Sequence, residues 1–185
     1  MMRTACALMI LFILALGGCS SSEKKDEKKF TVEDLGIVSK ADGRKVYYGM
    51  KQADAEAVLG QGKERRKGEF EYAFGVYAFY RDGKVAAIRL EEEAKNHYKT
   101  ALDAEIGMHK DQFESIYGDV HMPTIPDSQL TYVFDMKKQV LLKENKPKND
   151  KEAKNLLIFS ALEYDGIVDT IVIIDSYSTS HGIKE

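Results

Sequence analysis

Two thiols and four imidazoles are the side chains of this 185-residue sequence best suited to covalent or metal chemistry. Cys6 lies inside an apolar run from Ala5 to Leu16, and Cys19 follows Leu16-Gly17-Gly18. His97, His109, His121 and His181 stand apart from one another. The first three recur at intervals of twelve residues, a spacing without the short-range logic of a metal-ligand set. No Gly-x-Ser-x-Gly elbow, Walker loop, His-Glu-x-x-His helix or EF-hand loop is present. Carboxylates are plentiful, yet no two stand out as an acid/base pair from the helix and turn positions that already account for them. The expectation is therefore no catalytic residue, no metal, no cofactor and no enzyme activity. The remaining candidate for covalent chemistry is the Cys19 sulfur.

The apolar run after Arg3 has the order of a secretory signal. Its twelve residues would cover about 18 Å as a helix, well short of the roughly 30 Å of hydrocarbon that a membrane span must cross. Leu16-Gly17-Gly18-Cys19 resembles the bacterial lipobox. That resemblance implies diacylation of Cys19 through sulfur and cleavage before it, which would leave a palmitate-bearing, extracytoplasmic lipoprotein of 167 residues anchored to the cell membrane. Cys6 would leave with the signal and Cys19 would be consumed by lipid. The mature chain would then have no thiol to pair, and its core alone would have to hold it together. The net charge of −3, with lysines interleaved among carboxylates, argues against nucleic acid as a partner.

After the anchor, Ser20 to Lys29 reads SSSEKKDEKK and contains no apolar side chain to bury, so residues 19–30 are expected to form a solvated tether. Farther on, the sequence resembles itself. GMKQADAEAVLG (Gly49–Gly60) returns 58 residues later as GMHKDQFESIYG (Gly107–Gly118). The apolar sets Ala55/Val58/Leu59 and Phe113/Ile116/Tyr117 each mark one stripe of a short helix, which Gly60 and Gly118 would end. Each helix is followed by strand-like runs: 69–74, 76–80 and 84–90 in the first copy, and 130–134, 156–164 and 167–175 in the second. In each copy the last two are joined by Asp-Gly, at Asp82-Gly83 and Asp165-Gly166, a strong signal for a two-residue hairpin. The second copy is longer by a lysine-rich insertion, residues 136–155, which carries seven lysines against three acids. Val140-Leu141-Leu142 reads as strand and Asn145-Lys146-Pro147 as loop. Contact with anionic head groups or wall polymer is one reading of the insertion, and a solvated hairpin extension is the other.

The expected fold class is thus α+β, with two tandem helix-plus-antiparallel-sheet units forming one extended sheet behind a cleaved signal peptide. The expected boundaries are signal 1–18, tether 19–30, first unit 31–98, second unit 99–176 and a C-terminal tail 177–185. The Gly-Met, apolar pair, Gly pattern followed by strands resembles the β-lactamase inhibitor protein fold. It is also similar to the single-copy SmpA/OmlA lipoproteins of outer-membrane barrel assembly. The resemblance implies a sheet surface that grips a protein partner. Lys51 and His109 stand where the family usually has a Ser or Thr helix cap, so the cap is expected to come from elsewhere. Gln61 and Asp119 stand where a proline commonly follows.

If the Asp-Gly turn pairs Arg81 with Lys84 and the strands pleat regularly, Tyr77, Phe79, Ala86, Ile88 and Leu90 share the helix-packed face. Val76, Ala78, Tyr80, Val85, Ala87 and Arg89 then lie on the open one. The same turn puts Leu157, Phe159, Ala161, Glu163, Val168, Thr170, Val172 and Ile174 on the open face of the second hairpin. Tyr80, Arg89, Phe159 and Glu163 are the candidate protein-binding residues, because aromatic and arginine side chains dominate binding hot spots. The alternative is that these positions are covered by the linker around Glu91 to Thr100, by the long insertion or by each other. The expected function is a membrane-anchored protein-binding module, with inhibition of the bound protein as one form of it. A structural factor of envelope or outer-membrane protein assembly and an envelope hydrolase are the rival readings.

Overall fold

Runs of β-branched and aromatic residues broken by glycine-bearing turns favour strands over long helices, and the structure follows that bias. It is a computed structural model and describes residues 30–123 and 128–182. Cys19, the signal segment and tether residues 19–29 lie outside the described residues. The described chain is mixed α+β. A small sheet has the order β2 (Lys45–Val46), β1 (Ile37–Ser39), β7 (Tyr98–Thr100). A larger sheet of eight strands starts with β3 (Lys63–Arg66), β4 (Glu69–Tyr72), β5 (Val76–Arg81) and β6 (Lys84–Leu90). It continues through β11 (Ile167–Asp175), β10 (Leu156–Tyr164), β8 (Gln129–Asp135) and β9 (Val140–Leu142). Its strand pairs are all antiparallel. The four α-helices among the described residues are α1 (Gln52–Leu59), α2 (Lys110–Tyr117), α3 (Asp150–Ala153) and α4 (Ser176–His181). None is long and apolar enough to cross a membrane.

The two Asp-Gly hairpins sit back to back, with β6 paired to β11. Asp82 and Gly83 have φ of 53° and 67°, and Asp165 and Gly166 have 53° and 79°. Positive φ at both central residues is the type I′ turn, whose twist suits two adjoining strands. Each hairpin then carries one bulge. In the first, Tyr80 pairs with Val85 but Phe79 pairs with Ala87, so Ala86 is the extra residue. In the second, Glu163 pairs with Val168 but Leu162 pairs with Thr170, so Asp169 is extra. Each bulge residue stands three positions after the turn glycine.

Helices α1 and α2 dock on these hairpins through corresponding backbone bonds. Gly49 N–H donates to Val85 O at 2.8 Å, Val85 N–H to Met50 O at 2.8 Å and Gln52 N–H to Gly83 O at 3.0 Å. Gly107 donates to Val168 at 2.7 Å, Val168 to Met108 at 2.9 Å and Lys110 to Gly166 at 2.9 Å. Gly49 and Gly107 have φ of 84° and 89°, in the left-handed region where a Cβ is unfavourable. The helix starts differ in one respect. Lys51 makes no side-chain cap, whereas His109 caps α2 itself: its Nδ1 accepts from Asp111 N–H at 3.3 Å, and Gln112 Oε1 accepts from His109 N–H at 3.1 Å. The expectation that this position could not cap thus fails at His109, because a neutral imidazole nitrogen accepts as a hydroxyl does.

The core lies between the helices and one face of the large sheet. Ala55 and Leu59 of α1 and Phe113 and Tyr117 of α2 are buried there, and Val58 and Ile116 pack at its margin. The structure corrects two boundaries. Phe30, placed at the end of the tether, is only 3% exposed and belongs to the core. Residues 177–181, placed in a tail, continue α4, which Asp175 caps through Ser178 N–H at 2.7 Å.

Candidate functional site

The bulges decide which side chains reach the outer face of the large sheet. Regular pleating through the first turn would pair Phe79 with Ala86 and Ala78 with Ala87. The bulge at Ala86 instead pairs Ala78 with Ile88 and Tyr77 with Arg89. Since a one-residue slip flips a strand's faces, β5 turns over relative to the expected arrangement. Val76, Ala78 and Tyr80 face the helices with Val85, Ile88 and Leu90, all within the buried cluster. Tyr77 and Phe79 face outward with Ala87 and Arg89.

Three of the four candidate contact residues therefore lie elsewhere than expected. Tyr80 is 5% exposed; its hydroxyl is 2.6 Å from that of Tyr72, and its ring meets Phe70 edge-on at 5.5 Å. Burial, and then the Tyr72 hydroxyl, push the Tyr80 pKa well above the ordinary phenol value. Phe159 is fully buried, stacked on Phe113 at 5.5 Å and close to Tyr117 at 4.5 Å. Glu163 has a side chain only 10% exposed, accepts from Gly166 N–H within its own turn and lies 3.9 Å from the Lys110 ammonium. It shapes the hairpin end. The bulge at Asp169 is the reason: β10 presents Leu157, Phe159, Ala161 and Glu163 to the helix side, opposite Ile171 and Ile173. Arg89 alone of the four stands on the outer face.

On that face, Arg89 belongs to a ladder built by cross-strand register. One row runs Glu71, Tyr77, Arg89, Val172, and the next runs Glu69, Phe79, Ala87, Ile174. The Arg89 guanidinium lies 4.3 Å from the centre of the Tyr77 ring, and that of Arg66 lies 5.6 Å from the centre of Phe79. Glu69 lies between the two cations with its carboxylate 8% exposed, ion-paired to Arg66 and 4.0 Å from Arg89. Arg89 also reaches Glu91 at 3.1 Å, and Arg65 reaches Glu71 at 3.2 Å. Arg66, Glu69, Tyr77, Phe79 and Arg89, with Val172 and Ile174 as an aliphatic floor, line a shallow concavity of about 230 Å³. Burial pushes the Tyr77 phenol up from its ordinary value, and the carboxylates of Glu91 and Glu71 add to the shift. The phenol thus stays neutral and keeps its proton to donate.

Sequence reasoning missed Tyr77 and Phe79 as surface residues. A signal for them was present: Val76 to Tyr80 is apolar on both sides, so alternation could not orient the strand, but Glu69 and Glu71 flank one face of neighbouring β4 and are best balanced by arginines on the same side. A second constellation was also missed. Asp175 accepts from Tyr48 Oη at 2.6 Å and pairs with Arg81, which also donates to Ser178 Oγ at 2.7 Å. Burial alone would raise the Asp175 carboxyl, but the hydrogen bonds from Arg81, Tyr48 and Ser178 outweigh it and hold the pKa below the ordinary 3.8. With Arg81 and Asp175 side chains 10% and 0% exposed, this cluster fastens α4 to the first hairpin. No group of three or more His, Cys, Asp or Glu side chains able to hold a metal occurs among the described residues.

Comparison of the chain with protein-family models, with curated proteins and with solved structures returned no match in any of the three.

Proposed function

We propose that this chain is a lipid-anchored extracytoplasmic module, built from two tandem helix–hairpin units, that binds a protein through the outer face of β4, β5 and β6. The observation that carries the reading is the pair of arginine–aromatic stacks, Arg89 on Tyr77 and Arg66 on Phe79, set around the nearly buried Glu69 carboxylate. Tyrosine and arginine on a partly desolvated floor with an ionic rim make up the usual composition of an interface hot spot. The tethered carboxylate holds both cations in place before a partner arrives, so little side-chain entropy is left to lose on binding. The tandem reading draws on the shared Gly-Met helix motif, the two type I′ turns, the bulges at Ala86 and Asp169 and the corresponding docking bonds. The anchor reading draws on the lipobox-like residues ending at Cys19.

The test is photo-crosslinking in cells, with a benzophenone amino acid placed at Phe79 on the outer face or at Lys148 in the insertion. The expected result is a discrete protein adduct from position 79 that disappears when Arg89→Ala and Tyr77→Ala are added, with none from position 148. Equal adducts from both positions, or an adduct at 79 indifferent to those substitutions, would overturn the assignment of the face.

A further inference from the structure

We infer that the lysine-rich insertion, residues 136–155, rests on the acidic phospholipid head groups of the bilayer that holds the N-terminus, and thereby fixes how the protein stands on its membrane. The inference depends on the lipid-anchor reading and adds an orientation to it.

Chain geometry comes first. Phe30 is the first described residue, and its ring lies edge-on to Phe134 at 6.4 Å. Phe134 is the cross-strand partner of Leu141 in β9, the strand inside the insertion. The tether therefore joins the folded domain at the base of the insertion. Its ten residues Ser20–Lys29 reach at most about 35 Å when fully extended. A short leash attached there keeps this edge of the sheet nearer the bilayer than the edge at β3.

Charge points the same way. The whole chain carries −3, yet the insertion alone carries seven lysines against Glu144, Asp150 and Glu152, a local +4. Structure gathers part of that charge: Lys137, Lys138 and Lys151 line one notch of about 330 Å³ together with Asn149, Asn155 and the carboxylates of Asp135 and Glu152. The notch has a firm frame. Asp135 accepts from Lys137 and Lys138 N–H at 2.9 and 3.0 Å, and Asn149 caps α3 through Glu152 N–H at 3.0 Å. Lys138 is paired to Asp135 at 3.2 Å, whereas no ion pair engages the Lys137 or Lys151 ammonium among the described residues. Asn149 and Asn155 are spent on the frame, Asp135 is held by Lys138 and Glu152 accepts from Lys148 N–H, so the Lys137 and Lys151 ammonium groups are what the notch offers to the charge of a phosphodiester head group. Attraction between such lysines and an acidic leaflet falls off within a Debye length of about 8 Å, so it operates only where the chain is already held close.

One consequence follows for the binding face. From β9 to β5 is five strand spacings, about 24 Å. With the insertion on the bilayer, the Tyr77–Arg89 ladder stands away from the membrane, open to a partner.

The test uses the full chain purified from membranes with a fluorophore at Glu144→Cys, an exposed position in the insertion. The protein is reconstituted in vesicles of phosphatidylcholine alone or of phosphatidylcholine with one-third phosphatidylglycerol, each doped with a nitroxide head-group lipid. The expected result is roughly twofold stronger quenching in the acidic vesicles, removed by high salt. Lys137→Glu with Lys151→Glu is expected to remove it as well; Lys137→Gln with Lys151→Gln is the milder pair should the glutamates disturb folding, which circular dichroism reads. Equal quenching in both vesicles, or quenching unchanged in a folded double variant, would overturn the inference. Intact mass of the same sample separates the two failures. Acylated protein without charge-dependent quenching overturns the orientation alone, whereas unacylated protein overturns the anchor and the orientation with it.

Discussion

The two hairpins share turn, bulge and helix docking, yet they distribute their aromatic rings differently: the first sets two of its three on the outer face and only Tyr80 on the helix side, whereas Phe159 of the second lies in the core. In the second, the rings face inward: Phe113, Tyr117, Tyr132 and Phe159 form one cluster against α2. The outer side there carries aliphatic and hydroxyl side chains and no ring between Ile158 and Leu162, with the Thr131 and Ser160 hydroxyls 3.1 Å apart and Ile158 and Val133 buried. In the first, Val76, Ala78 and Tyr80 face the helix side, and the outer side carries Tyr77 and Phe79 under arginines. A β-strand offers the same backbone bonds to either face, so a ring serves as core or as surface according to the parity of its position. The hairpin ends differ too. Arg81, beside the first turn, is locked to Asp175, while Tyr164, at the matching place beside the second, is 80% exposed.

The contrast predicts unequal costs for similar truncations. Phe159→Ala should lose about 3–5 kcal/mol of unfolding free energy by urea titration, because it opens a cavity among stacked rings. Arg81→Ala should cost a comparable amount, about 3–5 kcal/mol, since it strands a buried carboxylate; an effect below 1 kcal/mol would mean that the cluster is solvated. The Asp175 pair also gives stability a pH dependence. Its folded pKa lies below the unfolded value, so its contribution is complete above about pH 4 and is lost as pH falls through the folded pKa. Asp175→Asn should therefore flatten the acid limb of the stability profile while lowering the plateau at neutral pH.

Smaller effects separate the turns. Alanine at Gly83 or Gly166 must adopt positive φ, at about 1–2 kcal/mol. A Cβ at Gly166 also comes within 3.1 Å of His109 Nε2, while one at Gly83 meets open space, so Gly166→Ala should be the costlier. Smallest of all is the surface ladder. Tyr77→Ala and Arg89→Ala should each leave the melt nearly unchanged, with a coupling of about 0.5–1 kcal/mol in a double-mutant cycle. A loss there as large as at Phe159 would mean that this face is core.

The sequence made the hairpins legible almost residue by residue. β6, β10 and β11 span the expected runs, because Asp-Gly between apolar segments leaves few alternatives. The helices and their glycine stops were legible for a similar reason, since an i, i+3, i+4 apolar stripe has one way to be buried. The candidate site was mostly illegible. Of the four residues picked for the outer face, only Arg89 lies there, because its strand was oriented correctly beyond a bulge that the sequence does not announce. The small sheet of β1, β2 and β7 also escaped notice: its strands are two or three residues long, too short for a period to show.

By itself, the sequence determined which segments become strands and helices, where the chain reverses, and which stretches carry the cationic charge, because turn chemistry, periodicity and composition are local properties. Only the tertiary structure decided which face of each strand looks outward, that Arg81 meets Asp175 and that Phe30 roots the chain beside the lysine-rich insertion. Those outcomes depend on register between distant strands, where one extra residue in a bulge reverses the side on which every side chain beyond it emerges.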